Sequence, residues 1–253
     1  QALIDHYIGI VRMLRGKEYY ELVKRYSDVP WYDHVLSDTD IDELYKPQDS
    51  RSFVMDKIME DLRFGCKHIL PDLKGRVTYT QWYAYGLLAR IGLESTADKC
   101  LEEAVSACEK IMENTAEFDI YTDGGVNEAY RNLFASNNLS KCKEMILYKD
   151  FDNEALIRHD ASMHVFAYTT NLSRSLMESY LVKKDEKAVP FSSVENYQTK
   201  TFIETFADRD PRYAQTFMYP GYIRPGDAKP FVPNMNLGGY PQIKFVSKDA
   251  SQN

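Results

Sequence analysis

The sequence predicts a mainly α-helical fold, a scaffold of paired helices followed by a loop-rich last third with little β structure. Three observations predict it. Apolar residues recur at helical spacing through four successive segments in the first half of the chain. One of these segments carries small residues where a partner helix could approach closely. Seven of the ten prolines (Pro190, Pro211, Pro220, Pro225, Pro230, Pro233 and Pro241) fall after Lys183, in a stretch too aromatic to be disordered.

The first helix is expected from Tyr7 to Tyr26, with Ile10, Met13, Leu14, Leu22 and Val23 at helical spacing and a stop at Asp28-Val29-Pro30. Trp31 to Asp49 is rich in acidic and turn-forming residues and reads as a long surface loop. A second helix follows from about Ser52, its inward stripe Val54, Ile58, Leu62, Cys66 and Ile69, with Ser50 or Ser52 as cap. Thr78 is the expected cap of a third helix running to Leu93. Trp82, Tyr85, Gly86 and Ala89 within it have the W-x2-L-G-x2-Y spacing of a tetratricopeptide unit. Its partner is expected over Ala97 to Glu113, with Leu101, Ala104, Val105, Cys108 and Ile111 inward. Asp119 to Val126 reads as a turn, Tyr130 to Phe134 as a short helix, Met145 to Tyr148 as a short buried strand, and Leu172 to Leu181 as helical.

Among 253 residues, 31 Lys and Arg stand against 38 Asp and Glu, a formal charge of −7. No basic block is present to meet a phosphate lattice, which argues against nucleic acid. No uncharged apolar run is long enough to span a bilayer. Cys66, Cys100, Cys108 and Cys142 lie too far apart for a zinc module, and Cys66 and Cys108 read as buried free thiols. With 19 Tyr, 12 Phe and 2 Trp, tyrosine exceeds the other aromatics combined.

No catalytic constellation, metal site or cofactor site emerges. His159 and His164 are five residues apart, about 140° out of alignment on a helix. Asp208 and Asp210 could offer the two carboxylates of a glycosidase, but alternate residues before a proline, as in Asp208-Arg209-Asp210-Pro211-Arg212, more often make an ion-paired turn. Asp123-Gly124-Gly125 lacks the further ligands of a calcium loop. Asn138-Leu139-Ser140 and Asn171-Leu172-Ser173 match the glycosylation sequon. What remains is aromatic residues in loops. Trp31, Tyr32, Tyr219 and Tyr222, with Arg224 beside them, are candidate glycan contacts, because flat rings stack on the C–H faces of sugars while polar groups satisfy hydroxyls. Any one of these rings, taken alone, more often fills a small core beneath a long loop.

Several stretches, in order and spacing, resemble the SusD/RagB family of outer-membrane nutrient-binding lipoproteins. They are Arg15-Gly16-Lys17-Glu18-Tyr19-Tyr20-Glu21-Leu22-Val23 with Asp28-Val29-Pro30; Arg51-Ser52; Ile58-Met59-Glu60-Asp61-Leu62; Gly75-Arg76-Val77-Thr78 with the Ala84 to Leu93 helix; Ser175-Leu176-Met177-Glu178-Ser179-Tyr180; Asp208-Arg209-Asp210-Pro211-Arg212; and Gly239-Tyr240 followed by Lys244-Phe245. The resemblance implies one SusD-like domain over 1–253, with a helical part, 1–183, and a Pro/Gly-rich part, 184–253. It implies a surface-exposed outer-membrane lipoprotein that binds oligosaccharide or polysaccharide without catalysis and serves a SusC-like TonB-dependent transporter. Attachment would be through a lipid anchor that this chain does not include. Three departures accompany it: family members are about twice as long, so the scaffold is expected to be incomplete with an apolar face open; only four residues separate Leu93 from Asp98 where the family commonly has an insert; and Asp185-Glu186 replaces the usual Asp-Gly turn. A tetratricopeptide-type protein-interaction module is the alternative reading.

Overall fold

Met13, Val23, Val54, Ile58, Leu62 and Ile91 are fully buried, and the four helices that carry the predicted stripes converge on them. They are α1 (Ala2–Tyr26), α3 (Arg51–His68), α4 (Gln81–Glu94) and α5 (Asp98–Glu113), with a single turn, α2 (Ile41–Leu44), in the loop after α1. The computed structural model describes residues 1–72, 76–95, 98–136, 138–151, 171–232 and 239–246. The chain divides into two compact units. Unit 1 is Gln1–Asp119 with Lys143–Lys149, and unit 2 is Ile120–Cys142 with Asp150–Asn253.

In unit 1, α1 packs on α3, α3 on α4 and α4 on α5, the successive helix pairs of the expected scaffold. The α1–α3 pair is locked by charge as well as by its apolar stripe. Arg15 donates from Nε and Nη2 to the two oxygens of Asp61, at 2.7 and 2.9 Å, and Arg12 Nε adds a third bond at 2.7 Å. Asp61 is 1% exposed, so three charge-assisted bonds replace its lost hydration. The intervening loop is pinned at both ends: Val29 bridges Asp49, Asp28 Oδ1 accepts from the Arg51 N–H, and Arg51 Nη1 donates to the Val23 carbonyl at the end of α1. Ser50 caps α3, its hydroxyl accepting from the Phe53 N–H. Arg76 is 6% exposed and donates to the carbonyls of Met145 and Glu117, tying the return segment Lys143–Lys149 to unit 1.

Six expectations need correction. Helix α1 starts at Ala2, five residues early, and Leu3, Ile4, Tyr7 and Val11 on it are exposed. The N-cap position of α4 is Thr80, not Thr78. The inward face of α5 is Cys100, Ala104 and Ala107, so of the expected stripe Ala104 is buried and Ile111 half-buried while the other three residues face outward. Leu101, Val105, Cys108 and Met112 are exposed, so of the two thiols read as buried only Cys66 is; burial pushes its pKa up to about 12. The small inward residues belong with a close helix approach, which Gly92 of α4 permits: a Cβ there would stand 2.7 Å from the Cys100 carbonyl oxygen. A Cβ on Gly86, the motif glycine, would meet only Ile146 Cδ1, at 3.7 Å. Met145 to Tyr148 is half-buried and irregular rather than a buried strand, because its backbone is satisfied by Arg76. The helix expected over Leu172 to Leu181 is confined to six residues.

That helix is α7 (Arg174–Ser179), and with α6 (Ala129–Ala135) and α8 (Pro211–Thr216) it supplies the α-helices of unit 2 among the described residues, beside short 3-10 turns. The β structure there is one hairpin, β1 (Val182–Lys184) against β2 (Lys187–Val189), with Val182 opposite Val189. Aromatic rings form the core. Phe191, Tyr213 and Phe217 are buried with Met177 and Val182, and Arg209 lies between Phe191 and Tyr213, its Cζ 4.2 and 4.3 Å from their centroids. Burial lowers the pKa of that guanidinium, which donates to the Met177 carbonyl.

Replacing Asp61 by Ala should cost about 3 kcal/mol in urea unfolding, the low end for a broken buried pair because both arginines remain partly hydrated. Arg12→Met should cost about 1 kcal/mol, since the Arg15 fork survives. At the hairpin turn Asp185 and Glu186 both have positive φ, 50° and 62°, the geometry of a type I′ turn. Glu186→Gly should therefore raise stability by about 0.5–1 kcal/mol in the same assay, the relief of left-handed strain outweighing the greater freedom of the unfolded chain.

Candidate functional site

Two Pro-Gly turns in tandem shape the candidate site in unit 2. In Tyr219-Pro220-Gly221-Tyr222 the Tyr222 N–H donates to the Tyr219 carbonyl at 3.0 Å, and Gly221 has φ 86°. In Arg224-Pro225-Gly226-Asp227 the Asp227 N–H donates to the Arg224 carbonyl at 3.0 Å, and Gly226 has φ 87°. Proline at the second position and a positive-φ glycine at the third define a type II turn. The Phe231 N–H then donates to the Tyr222 carbonyl at 2.7 Å, closing the second loop back on the first.

These turns face the start of α6 and one side of α8 across a pocket of about 600 Å³ whose lining includes Glu128, Arg131, Gln215, Tyr219, Tyr222 and Arg224. Gln215, 3% exposed, joins the two helices. Its Oε1 accepts from the Arg131 N–H, and its Nε2 donates to the carbonyls of Val126 and Pro211, each at 3.0 Å. The Tyr219 and Tyr222 rings meet edge to face, centroids 5.4 Å apart. Tyr219 is 41% exposed, whereas Tyr222 is buried and accepts at its hydroxyl from Arg131 Nη2, at 3.4 Å. Arg224 pairs with Asp227 at 2.6 Å, lies over Phe231 and also lines a second hollow of about 400 Å³ with Lys229 and Phe231. The site thus offers an accessible ring face beside cationic, amide and hydroxyl groups, which suits a polyhydroxylated ligand.

Tyr219, Tyr222 and Arg224 are therefore brought together. Trp31 and Tyr32 belong to unit 1. Trp31 is 7% exposed in the helical core, with the Tyr19 ring tilted against it at 4.3 Å and Arg15 over its ring at 4.8 Å, so as a glycan contact it is corrected to a core residue. Tyr32 is half-buried, its N–H donating to the Tyr19 hydroxyl, its hydroxyl to the Glu43 carbonyl, and Lys46 lying over its ring. Arg131, Gln215 and Glu128 were not foreseen, since no motif in the sequence marks them. The only local sign is Arg131 two positions before Leu133 on a short helix, where both prove buried.

The Asp208 to Arg212 segment is the ion-paired turn. Asp208 is exposed with φ 53°, while Asp210 caps α8 by accepting from the Arg212 N–H and binds the Arg212 guanidinium at 2.6 Å. That hydrogen bond holds the Asp210 carboxyl below its ordinary 3.8. Asp123-Gly124-Gly125 is a turn closed by Gly125 N–H on the Thr122 carbonyl. Asn138 Oδ1 is engaged by the Ser140 N–H and hydroxyl. His159 and His164 lie outside the described residues.

The resemblance read from the sequence is borne out. Residues 143–253 match the SusD family. The chain is 29% identical over 140 residues to SusD-like protein P2 of Formosa agariphila, covering 54% of this chain and 26% of that protein. A SusD-like protein of Bacteroides fragilis has the same fold, with TM-score 0.72 and 20% identity over 98% of this chain and 52% of its own. A SusD-like carbohydrate-binding protein of the same organism gives 0.68 and 18% over 100% and 50%. The chain thus spans about half the length of these solved relatives and about a quarter of the curated one.

Because the folded-state pKa of Asp210 is depressed, its charge stabilises the fold above about pH 4 and that contribution is lost as the pH falls through the folded value. Asp210→Asn keeps a capping side chain and removes the charge. It should be less stable than the parent at pH 7, and the gap in urea midpoint should narrow progressively as the pH falls below about 4. An undiminished gap at low pH would contradict the assignment.

Proposed function

We propose that this chain is part of a non-catalytic glycan-binding protein exposed at the outer-membrane surface, anchored through lipid, which captures oligosaccharide and delivers it to a SusC-like TonB-dependent transporter. The observation that carries this reading is the unit 2 pocket. It sets an accessible tyrosine face beside amide, hydroxyl and guanidinium groups within a fold shared with a carbohydrate-binding relative. The absence of catalysis is supported by the role of Asp208 and Asp210, which serve a turn and a helix cap rather than flanking a substrate. A purely protein-binding helical module is the second reading. The exposed Leu101, Val105 and Met112 along α5 favour it.

Isothermal titration of the intact protein against a broad glycan panel separates the two. At least one oligosaccharide should bind, and Tyr219→Ala should weaken it roughly threefold or more, since one ring stacking on a sugar is worth about 0.5–1.5 kcal/mol by analogy with aromatic pairs. Tyr219 is exposed, so the variant should unfold at the parental temperature. Silence across the panel would favour the protein-binding reading, and turnover of a bound glycan would remove the non-catalytic one.

A further inference from the structure

We infer that the unit 2 pocket takes a saccharide carrying an anionic group, a carboxylate or a sulfate, received by the Arg131 guanidinium. This deepens the glycan-binding reading above and rests on it. Arg131 is only 9% exposed and lines the pocket, yet among the described residues no carboxylate pairs with it. Its Nε is buried without a hydrogen-bond partner, and its Nη2 makes one long bond, 3.4 Å, to the Tyr222 hydroxyl. Its Cζ stands 5.4 Å from the Tyr222 centroid, a further weak compensation.

Other arginines of this chain are treated differently. Arg12 and Arg15 share Asp61, Arg63 has Glu103, Arg212 has Asp210 and Arg224 has Asp227. Arg209 also has orphaned nitrogens, but it is sandwiched between two rings and lines none of the pockets described. A buried cation lacking a counter-charge is costly unless something supplies one. Among the described residues the carboxylate lining the Arg131 pocket is Glu128, which is exposed.

The guanidinium fork matches a planar carboxylate or a sulfate through paired N–H donors. An acidic sugar presents such a group on the same ring whose C–H face can lie against Tyr219. Arg224 and Lys229 in the adjoining hollow could follow further charges along a chain.

Calorimetric titration of the intact protein at fixed ionic strength tests this with three probes of equal length: trigalacturonate, its carboxyl-reduced neutral counterpart, and a sulfated galactotriose. One of the charged probes should bind at least roughly tenfold more tightly than the neutral one, equivalent to about 1.4 kcal/mol, and which of them does so identifies the anion. Carboxyl reduction alters only the ligand, so this comparison is independent of any variant's folding. In Arg131→Gln, checked by thermal unfolding, the preference should vanish while affinity for the neutral probe persists. A preference that survives in folded Arg131→Gln overturns the role of Arg131. Equal affinity for all three probes, each weakened by Tyr219→Ala, overturns the anion assignment and leaves glycan binding standing. No binding of any probe, while another glycan of the panel binds, overturns the anion assignment alone; silence throughout removes both.

Discussion

Asp61, buried to 1% exposure between α1 and α3, is the constraint on which unit 1 depends. A carboxylate withdrawn from water must find charge-assisted donors, and Arg12 and Arg15 provide three. The same Arg15 guanidinium reaches the Asp33 carbonyl and covers the ring of Trp31. One ion cluster therefore sets the register of two long helices and fastens the beginning of the loop that joins them. Trp31 then closes the core from the loop side, which is why it has no face left for a ligand.

Arginine recurs wherever the chain lacks regular hydrogen-bond ladders. Arg76 joins two separate carbonyls in unit 1, Arg51 reaches the last turn of α1, and Arg209 braces the aromatic core of unit 2. A planar, charged fork can satisfy irregularly placed acceptors, two for Arg76 and one each for Arg51 and Arg209, and Arg76 and Arg209 also lie against rings. Arg131 departs from this pattern. It is more buried than Arg51 or Arg209, yet it lines a pocket, its Nε has no hydrogen-bond partner and its Nη2 bonds the Tyr222 hydroxyl.

The tyrosine excess divides along the same lines. Tyr20 and Tyr213 are core residues, Tyr19 and Tyr180 pack against cores while bonding through their hydroxyls, and Tyr219 presents a ring to solvent. Tyr222 does both, its ring in a small core with Met218 and Ile243 and its hydroxyl toward Arg131. Loop position alone did not separate these roles. Trp31 follows Pro30 and Tyr219 precedes Pro220, and only the packing around each ring distinguishes a plug from a platform.

The sequence by itself determined the helix pairs, because periodic apolar stripes such as Val54, Ile58, Leu62 and Cys66 require a covered face whatever covers it. It also marked the Pro-rich, loop-built last third and the ion-paired turn from Asp208 to Arg212, since these depend on local φ preferences and short-range interactions. Tertiary structure decided what depends on residues far apart in the chain. It turned α5 so that small Ala104 and Ala107, rather than Leu101 and Val105, face inward, because Gly92 lets α4 come within contact of the α5 backbone. It also assembled the pocket from Arg131, Gln215, Tyr219 and Arg224, which lie up to 93 positions apart and share no local pattern. Periodicity reports that a face must be buried, whereas the identity of its neighbour, and the choice between a ring that fills a core and one that meets a ligand, is set by long-range contacts.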